Sequence, residues 1–295
     1  MRVNPNPTAD ILASIALDQQ DQEIALAQLA SGRRVVVPSD DPAAAATLSL
    51  NHAQSSQDDQ FLQVIGGVSA RLQVADSTLG SVVTVLTRAI SLGVEGGAST
   101  LSQADRNAIA VELQGVQQQL LSLVNTSFQG TYIFGGTANQ AAPFSLNALS
   151  PSGVGYNGNN GVNTLTVGAS FTITTNLPGS KLFTTPGADV FQAIQDLTTA
   201  VTTNTGLAAA VAELSKSFQS VTTQRVFYGN ALQQLDAQTT SINGQKLQLS
   251  QQENAVGGAD PTAAASASVN AATARNAALQ AANSLLTTSL FNFLK

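Results

Sequence analysis

The stretch that decides the fold is residues 207–256, with the sequence LAAAVAELSKSFQSVTTQRVFYGNALQQLDAQTTSINGQKLQLSQQENAV. It contains no proline, and as one continuous helix it would be about 75 Å long at ~1.5 Å per residue. Helices of globular domains are seldom half as long, so the stretch predicts a rod or a helical bundle. Gly229 and Gly244 each cost about 1 kcal/mol relative to alanine, which tertiary packing must offset.

Other proline-free segments also predict helices, and their ends carry recognisable signals. These further segments are residues 42–63, 68–92 and 103–125. Residues 39–42 (Ser-Asp-Asp-Pro) supply capping oxygens, acidic residues and a first-turn proline, and residues 260–261 (Asp-Pro) repeat this device before the last helix. Residues 31–32 (Ser-Gly) end the first helix, and residues 96–97 (Gly-Gly) mark a reversal between two helices.

The middle of the chain has a different composition. Between Ala141 and Ala188 the only charged residue is Lys181, and prolines and glycines punctuate short alternating runs such as residues 170–174. Alternation with β-branched residues predicts a small antiparallel β unit. The alternative is an irregular Gly/Asn loop, which is disfavoured because long structureless loops are uncommon in compact domains.

Composition argues against several classes of function. The 295 residues include 10% charged residues, a net charge of −6, no cysteine and one histidine. A nucleic-acid binder needs a basic face, and disulfides, thiolate metal sites and cysteine nucleophiles need cysteine. We therefore expect no catalytic residue, no metal site, no cofactor and no nucleic-acid partner.

Two features could still suggest catalysis. Asp40 and Asp41 are adjacent carboxylates, but neighbouring side chains point in different directions and both lie where a helix N-terminus favours negative charge. His52 has no carboxylate three or four residues further on, which indicates a surface or interface position. We expect the two aspartates to cap a helix rather than to act on a substrate.

Both ends of the chain carry apolar stripes that have no partner nearby in the sequence. In the tail, Ala272, Leu279, Leu286 and Phe293 recur every seven residues. These stripes either pair with each other and with other copies of the chain or dock on the central bundle, and we favour the first arrangement. The predicted subunit-interface residues are Ile11, Leu12, Ile15, Leu26, Leu29, Leu279, Leu286, Leu290, Phe293 and Leu294.

Neither a cleavable signal peptide nor a membrane span is expected. The first twenty residues lack the basic start and unbroken apolar run that a signal peptide needs. Residues 276–294 carry too many amide and hydroxyl side chains for the hydrocarbon core of a membrane. Taken alone, these features would predict a cytoplasmic protein.

Three stretches carry a resemblance to a known family. Residues 31–45, SGRRVVVPSDDPAAA, resemble the N-terminal signature of bacterial flagellins and their junction relatives; residues 125–137, NTSFQGTYIFGGT, resemble the segment that closes the helical part of hook–filament junction proteins; and residues 285–295 are similar to the family's apolar C-terminus. Flagellins usually have asparagine at the position of Pro38 and alanine at that of Pro42, so the sequence favours the junction proteins.

The resemblance implies a structural, exported protein. It would form a ring of identical subunits between a proximal hook-associated protein and flagellin, after leaving the cell unfolded with an export chaperone through the flagellar type III apparatus. That route needs no signal peptide and places the protein in the extracellular flagellum, which replaces the cytoplasmic expectation. A flagellin filament subunit is the alternative within the family; outside it are an enzyme using Asp40 and Asp41, and a coiled-coil adhesin or effector.

The expected fold is mainly α with a small inserted β domain, in the rod-like, nested arrangement of flagellin-type proteins. Residues 1–35 and 262–295 would pair as an antiparallel, coiled-coil-like end domain. Residues 36–140 and 188–261 would form a bundle of long helices with a hairpin. Residues 141–187 would form the β domain.

Overall fold

The computed structural model describes residues 7–293, with side chains described for residues 9–284. Long helices dominate it, as the sequence predicts. The elements in chain order are α1 (Pro7–Ser31), α2 (Pro42–Gly96), α3 (Gln103–Val124), β1 (Ser127–Phe128), β2 (Thr131–Tyr132), β3 (Phe144–Leu146), β4 (Val154–Tyr156), β5 (Thr164–Thr166), β6 (Thr172–Thr174), α4 (Gly179–Phe183), β7 (Thr184–Thr185), β8 (Ala188–Asp189), α5 (Val190–Thr203), α6 (Leu207–Gly257) and α7 (Pro261–Phe293).

The long helix predicted over residues 207–256 is α6, a single helix of 51 residues. The segments predicted over residues 42–63 and 68–92 are one helix rather than two, because α2 continues through Gly66 and Gly67 for 55 residues in all. Both glycines are exposed, and a Cβ at either would meet nothing within 4 Å. The only free-energy cost of these glycines is therefore their low helix propensity, which the flanking turns of the helix offset.

The β region consists of four antiparallel hairpins, each a two-stranded sheet, and no larger sheet forms among the described residues. The pairs are β1 with β2, β3 with β4, β5 with β6, and β7 with β8. The hairpin of β1 and β2 has a two-residue loop in which Gln129 and Gly130 both have positive φ, 49° and 77°. This is the primed turn that suits the twist of paired strands.

The chain forms two compact units, residues 1–57 with 244–295 (unit 1) and residues 58–243 (unit 2). Helices α2 and α6 contribute residues to both. The three-part division expected from the sequence remains a prediction.

Unit 2 holds a large apolar core. The helices α2, α3, α5 and α6 supply it together with side chains from the β region. Phe183 meets both Phe134 and Phe144 edge to face there, with ring centroids 5.2 Å and 5.7 Å apart. Tyr228 is fully buried, and its hydroxyl accepts a hydrogen bond from the Leu177 amide. The largest fully buried side chains of the described residues all belong to this unit.

Unit 1 is built on α1 and α7, which pack against each other. Gln22 receives a hydrogen bond from Arg275, and Arg33 forms an antiparallel bridge with Gly258. Early residues of α7 thus meet late residues of α1, so the two helices are antiparallel. This confirms the predicted pairing of the terminal helices.

Candidate assembly surface

Two connecting segments of unit 1 are fastened together, and we call this feature the linker clamp. It joins residues 32–41, between α1 and α2, to residues 256–259, at the end of α6 and the start of the segment before α7. The Arg34 amide donates to the Gly257 carbonyl at 2.7 Å, and the Ala259 amide donates to the Gly32 carbonyl at 3.0 Å. Gly32 has a φ of +66°, the left-handed conformation that ends α1 as the sequence predicts.

The Arg34 side chain completes the linker clamp. Its Nη2 donates to the Val256 carbonyl at 2.9 Å and to Asp41 Oδ2 at 3.0 Å. Asp41 Oδ1 accepts the Ala44 amide at 3.0 Å, which caps the start of α2. The hydrogen bond from Ala44, followed by that from Arg34, holds the pKa of Asp41 below its ordinary value.

Asp40 and Asp41 have separate structural partners. Asp40 Oδ2 accepts the amides of Val36 and Val37, both at 2.9 Å, and so orders the loop before the helix. Capping is confirmed for Asp41, whereas Asp40 stabilises the preceding turn. His52 Nε2 lies 3.5 Å from Glu253 Oε1 on the surface of unit 1. The residues that the structure describes contain no group of three or more His, Asp or Glu side chains able to hold a metal ion.

The seam between α1 and α7 is formed mostly by small and polar side chains. Its less exposed positions alternate at spacings of three and four, as in a two-helix coiled coil. On α1 they are Ile11, Ile15, Asp18, Gln22, Ala25 and Gln28, and on α7 they are Ala264, Ser268, Ala271, Arg275, Ala278 and Ala282.

Unit 1 consequently has almost no core of its own. Among its described residues, the buried apolar side chains are four alanines and Val35, and none is larger than valine. Apart from Ile11 and Ile15, the large apolar side chains described on α1 and α7 are exposed and face away from the seam. Removing apolar surface from water contributes about 25 cal/mol per Å². Burying these exposed side chains against another surface would therefore be favourable, and unit 1 does not bury them itself.

The predicted interface residues separate into two groups. Ile11 and Ile15 are half-buried on the seam. The exposed group comprises Leu12 at 67%, Leu26 at 49%, Leu29 at 38% and Leu279 at 45%. The side chains of Leu286, Leu290, Phe293 and Leu294 lie outside the described residues.

Sequence reasoning missed four exposed apolar side chains in α1 and the segment that follows it. They are Leu17, Ile24, Val36 and Val37. Val36 and Val37 line a groove of about 230 Å³ together with Ile24 and Ala27 of α1. The extended Val-Val-Val run between two helices is the sequence signal that could have indicated Val36 and Val37. We call the exposed side chains of Leu12, Leu17, Ile24, Leu26, Leu29, Val36, Val37 and Leu279 the assembly surface.

One helix meets a criterion for membrane spans that the sequence analysis did not anticipate. Within the described part of the chain, α2 alone is long and apolar enough, with a window of mean hydropathy 1.4. Of that window, 44% is buried inside the fold. A buried core helix of a folded domain meets the same criterion of length and hydropathy, so this window is equally typical of a core helix.

The first half of the chain matches a known family model. Residues 4–139 match the bacterial flagellin N-terminal helical region. Flagellar hook-associated protein 3 of Salmonella typhimurium is 36% identical over 118 residues, which are 40% of this chain and 37% of that protein. The protein of the same name from Escherichia coli is 36% identical over 119 residues, or 40% of this chain and 38% of the relative. The matches thus span little more than a third of these relatives.

The solved structures extend the likeness beyond the first half. The flagellar junction protein FlgL of Legionella pneumophila superposes with a TM-score of 0.63 at 16% identity, over 72% of this chain and 100% of its own. This chain has the flagellin-type fold. FlgL of Bacillus cereus shares that fold with a TM-score of 0.57 at 20% identity, covering 70% of this chain and 97% of its own. The flagellin-type fold accounts for the antiparallel end helices and the inserted β region together.

Proposed function

We propose that the chain is a structural protein of the bacterial flagellum that forms the junction ring between the hook-associated zone and the flagellin filament. The observation that carries this proposal is unit 1, whose small-residue seam leaves large apolar side chains exposed. A self-contained domain buries such side chains in its own core. The similarity to hook-associated protein 3 supplies the identity of the assembly that would cover them.

The proposed partners are a proximal hook-associated protein, flagellin, and identical copies within the ring. An export chaperone and the flagellar type III apparatus would deliver the chain to the extracellular flagellum. Within the ring, the assembly surface would contact neighbouring subunits, with the predicted stripe through Leu279, Leu286, Leu290, Phe293 and Leu294 extending it. Neither a nucleic acid nor a membrane is a proposed partner.

Assembly in this account is driven by unit 1. Ordering a residue costs about 1–2 kcal/mol of backbone entropy. The α1–α7 seam buries few large apolar side chains that could offset this cost. Neighbouring subunits supply the missing surface, so unit 1 gains stability on arrival at the growing end. The low density of charge, with 10% charged residues, limits repulsion between identical subunits.

The three parts expected from the sequence divide the work in this proposal. Residues 1–35 with 262–295 would make the contacts between subunits at the inside of the ring. Residues 36–140 with 188–261 would form the long-helix bundle of each subunit, and residues 141–187 would form a peripheral β domain. Removing residues 143–185 behind a short Gly/Ser linker should destabilise the chain, because Phe144, Val167 and Phe183 belong to the core of unit 2, but a deletion product that still folds should be exported and attach filaments. A stable, secreted deletion product in non-motile cells would contradict the peripheral role.

Electron microscopy of a strain lacking the gene tests the proposed function. We expect hooks without filaments, flagellin shed into the medium, and filaments restored by a plasmid copy of the gene. Normal filaments in the deletion strain would overturn the proposal. An adhesin or effector predicts unchanged motility in this strain.

The two remaining alternatives have separate tests. A flagellin would polymerise into long filaments from seeds, whereas a junction protein should stop after one ring. An enzyme that uses Asp40 and Asp41 should lose all turnover when both are replaced by asparagine. We expect this double variant instead to fold with a loosened start of α2, because both carboxylates already accept backbone amides.

A further inference from the structure

Unit 2 contains an arginine that has no carboxylate partner within the described residues. Arg71 of α2 is half-buried and donates from Nη1 to Thr131 Oγ1 at 3.2 Å and from Nη2 to the Tyr132 carbonyl at 3.4 Å. Both acceptors are neutral. Arg88 and Arg225 of the same unit instead pair with Glu112 and Asp76.

Arg71 opens onto a groove of about 540 Å³, which we call the Arg71 groove. The wall around it is formed by α2 and by residues of two hairpins, β1–β2 and β5–β6. Its remaining polar lining is neutral, from the amide side chains of Gln63, Gln129 and Asn163 and from threonine hydroxyls. The guanidinium is therefore the only charge in the lining.

Several N–H groups of Arg71 remain available in the groove. A guanidinium has five N–H groups, and two of those of Arg71 reach Thr131 and Tyr132. The Thr131 hydroxyl proton is donated to the Phe128 carbonyl at 3.0 Å, so Thr131 only accepts from Arg71. Three N–H groups of Arg71 remain for a ligand that accepts hydrogen bonds and carries negative charge, and a carboxylate fits this fork geometry.

The β1–β2 hairpin also shapes the groove. Gln129 has a φ of +49°, which the primed turn requires at both of its loop residues. At the hairpin tip this conformation holds the Gln129 side chain in the wall of the Arg71 groove. Burial also lowers the pKa of the Arg71 guanidinium, which reflects the cost of partial desolvation without an anion.

We propose that the Arg71 groove binds an acidic side chain from a second copy of this chain. The inference rests on the proposed function, in which identical subunits surround one another. Charge complementarity favours this occupant, because the chain has 18 acidic against 12 basic residues. Several carboxylates of unit 2 are exposed, among them Glu95, Glu213 and Asp236.

Photo-cross-linking of the full chain tests this inference. A benzophenone amino acid replaces Gln63 at the rim of the groove, the chain is expressed in flagellated cells, and cross-linked peptides from isolated flagella are identified by mass spectrometry. We expect chain-to-chain products in which the second peptide contains Asp or Glu. Arg71→Gln should lower their yield at least tenfold, Arg71→Lys should give an intermediate yield, and the control Arg88→Gln should leave the yield unchanged.

Further outcomes separate this inference from the proposed function. If the chain enters flagella but cross-links only to a different protein, or if Arg71→Gln leaves the yield unchanged, the inference is wrong and the junction role stands. If the chain is absent from flagella, the junction role fails, and the same cross-link measured in concentrated purified protein decides the inference. Stabilisation of the free chain by glutarate without any chain-to-chain product would assign the groove to a small molecule and overturn the inference.

If Arg71→Gln fails to fold, the acidic residue identified in the second copy is changed to glutamine instead, which leaves Arg71 and its hydrogen bonds in place. We expect this variant to fold and to lower the yield of the cross-linked product at least tenfold. An unchanged yield in the folded variant would also overturn the inference.

Discussion

Replacing three leucines of α1 by glutamine separates assembly from folding. Leu12, Leu26 and Leu29 are exposed to 67%, 49% and 38%. Full burial of a leucine is worth about 1.5–3 kcal/mol, so covering the exposed part of each would contribute about 1 kcal/mol. The triple variant should therefore lose about 3 kcal/mol of assembly free energy, which corresponds to roughly 100-fold weaker association.

The same variant should leave unit 2 intact. Glutamine has nearly the helix propensity of leucine, and none of the three leucines belongs to the core of unit 2. The main thermal transition, followed by circular dichroism, should therefore stay where it is in the parent chain. The assay for assembly is co-sedimentation of the purified chain with hooks isolated from the deletion strain, titrated to obtain an affinity.

A matched control replaces exposed leucines of the β region. Leu146 and Leu149 are exposed to 74% and 95%, so Leu146→Gln with Leu149→Gln should bind hooks as the parent does. Two results would contradict this prediction: parental hook affinity in the triple variant, or loss of its main thermal transition. The first result would remove α1 from the assembly surface, and the second would place these leucines in the folding core.

Three further predictions concern stability and the linker clamp. Leu79→Ala removes a fully buried side chain of unit 2 and should cost about 2–5 kcal/mol in urea unfolding, whereas the exposed Val94→Ala should change stability little. Burial raises the pKa of Tyr228 to about 12, whereas a tyrosine of the unfolded chain ionises near ~10. Between these two pH values the unfolded state loses its proton and the folded state keeps it. The free energy of unfolding should therefore fall by about 2–3 kcal/mol as pH rises from ~10 to ~12. Tyr228→Phe should abolish that fall, as measured by urea unfolding at each pH, and an unchanged pH profile would contradict it. Arg34→Gln should speed hydrogen exchange at the Ala259 amide while the neighbouring Arg33→Gln does not, and equal rates in both variants would show that the Arg34 side chain does not hold the linker clamp.

The helices were predictable from local signals, because caps, prolines and glycines act within a few residues. α6 follows the predicted segment closely, α1 ends at Ser31 as expected, and Asp41 caps α2. The break expected near residue 66 is absent. Two exposed glycines weaken a helix without ending it when both flanks are strong, and propensity read residue by residue does not capture this cooperativity.

The assembly surface was only partly predictable. Apolar periodicity selected Ile11 and Ile15, which lie on the seam, but most of the seam uses alanines and polar side chains such as Gln22 and Arg275. Small and polar seam residues leave little trace in a hydrophobic pattern. Leu12, Leu26 and Leu279 face away from the seam, so periodicity finds them without showing which partner they meet.

Contacts between distant parts of the chain were beyond sequence reasoning. The linker clamp joins Arg34 to Val256 and Gly257 across more than two hundred residues. Arg71 meets Thr131 and Tyr132 only because α2 and the β1–β2 hairpin pack together. No local spacing specifies either contact, although the resemblance in residues 31–45 marked one side of the clamp.

Amide hydrogen exchange of α1 and α7, compared between the free chain and isolated flagella, shows whether assembly stabilises unit 1. In the proposed ring, unit 1 becomes stable because other subunits cover its apolar side chains. We therefore predict that amides of residues 9–31 and 261–284 exchange at least ~100-fold more slowly in flagella, while core amides such as those of Leu79 and Leu113 are well protected in both states. Equal exchange of α1 and α7 in the two states would contradict the account, because unit 1 would then owe its stability to its own seam.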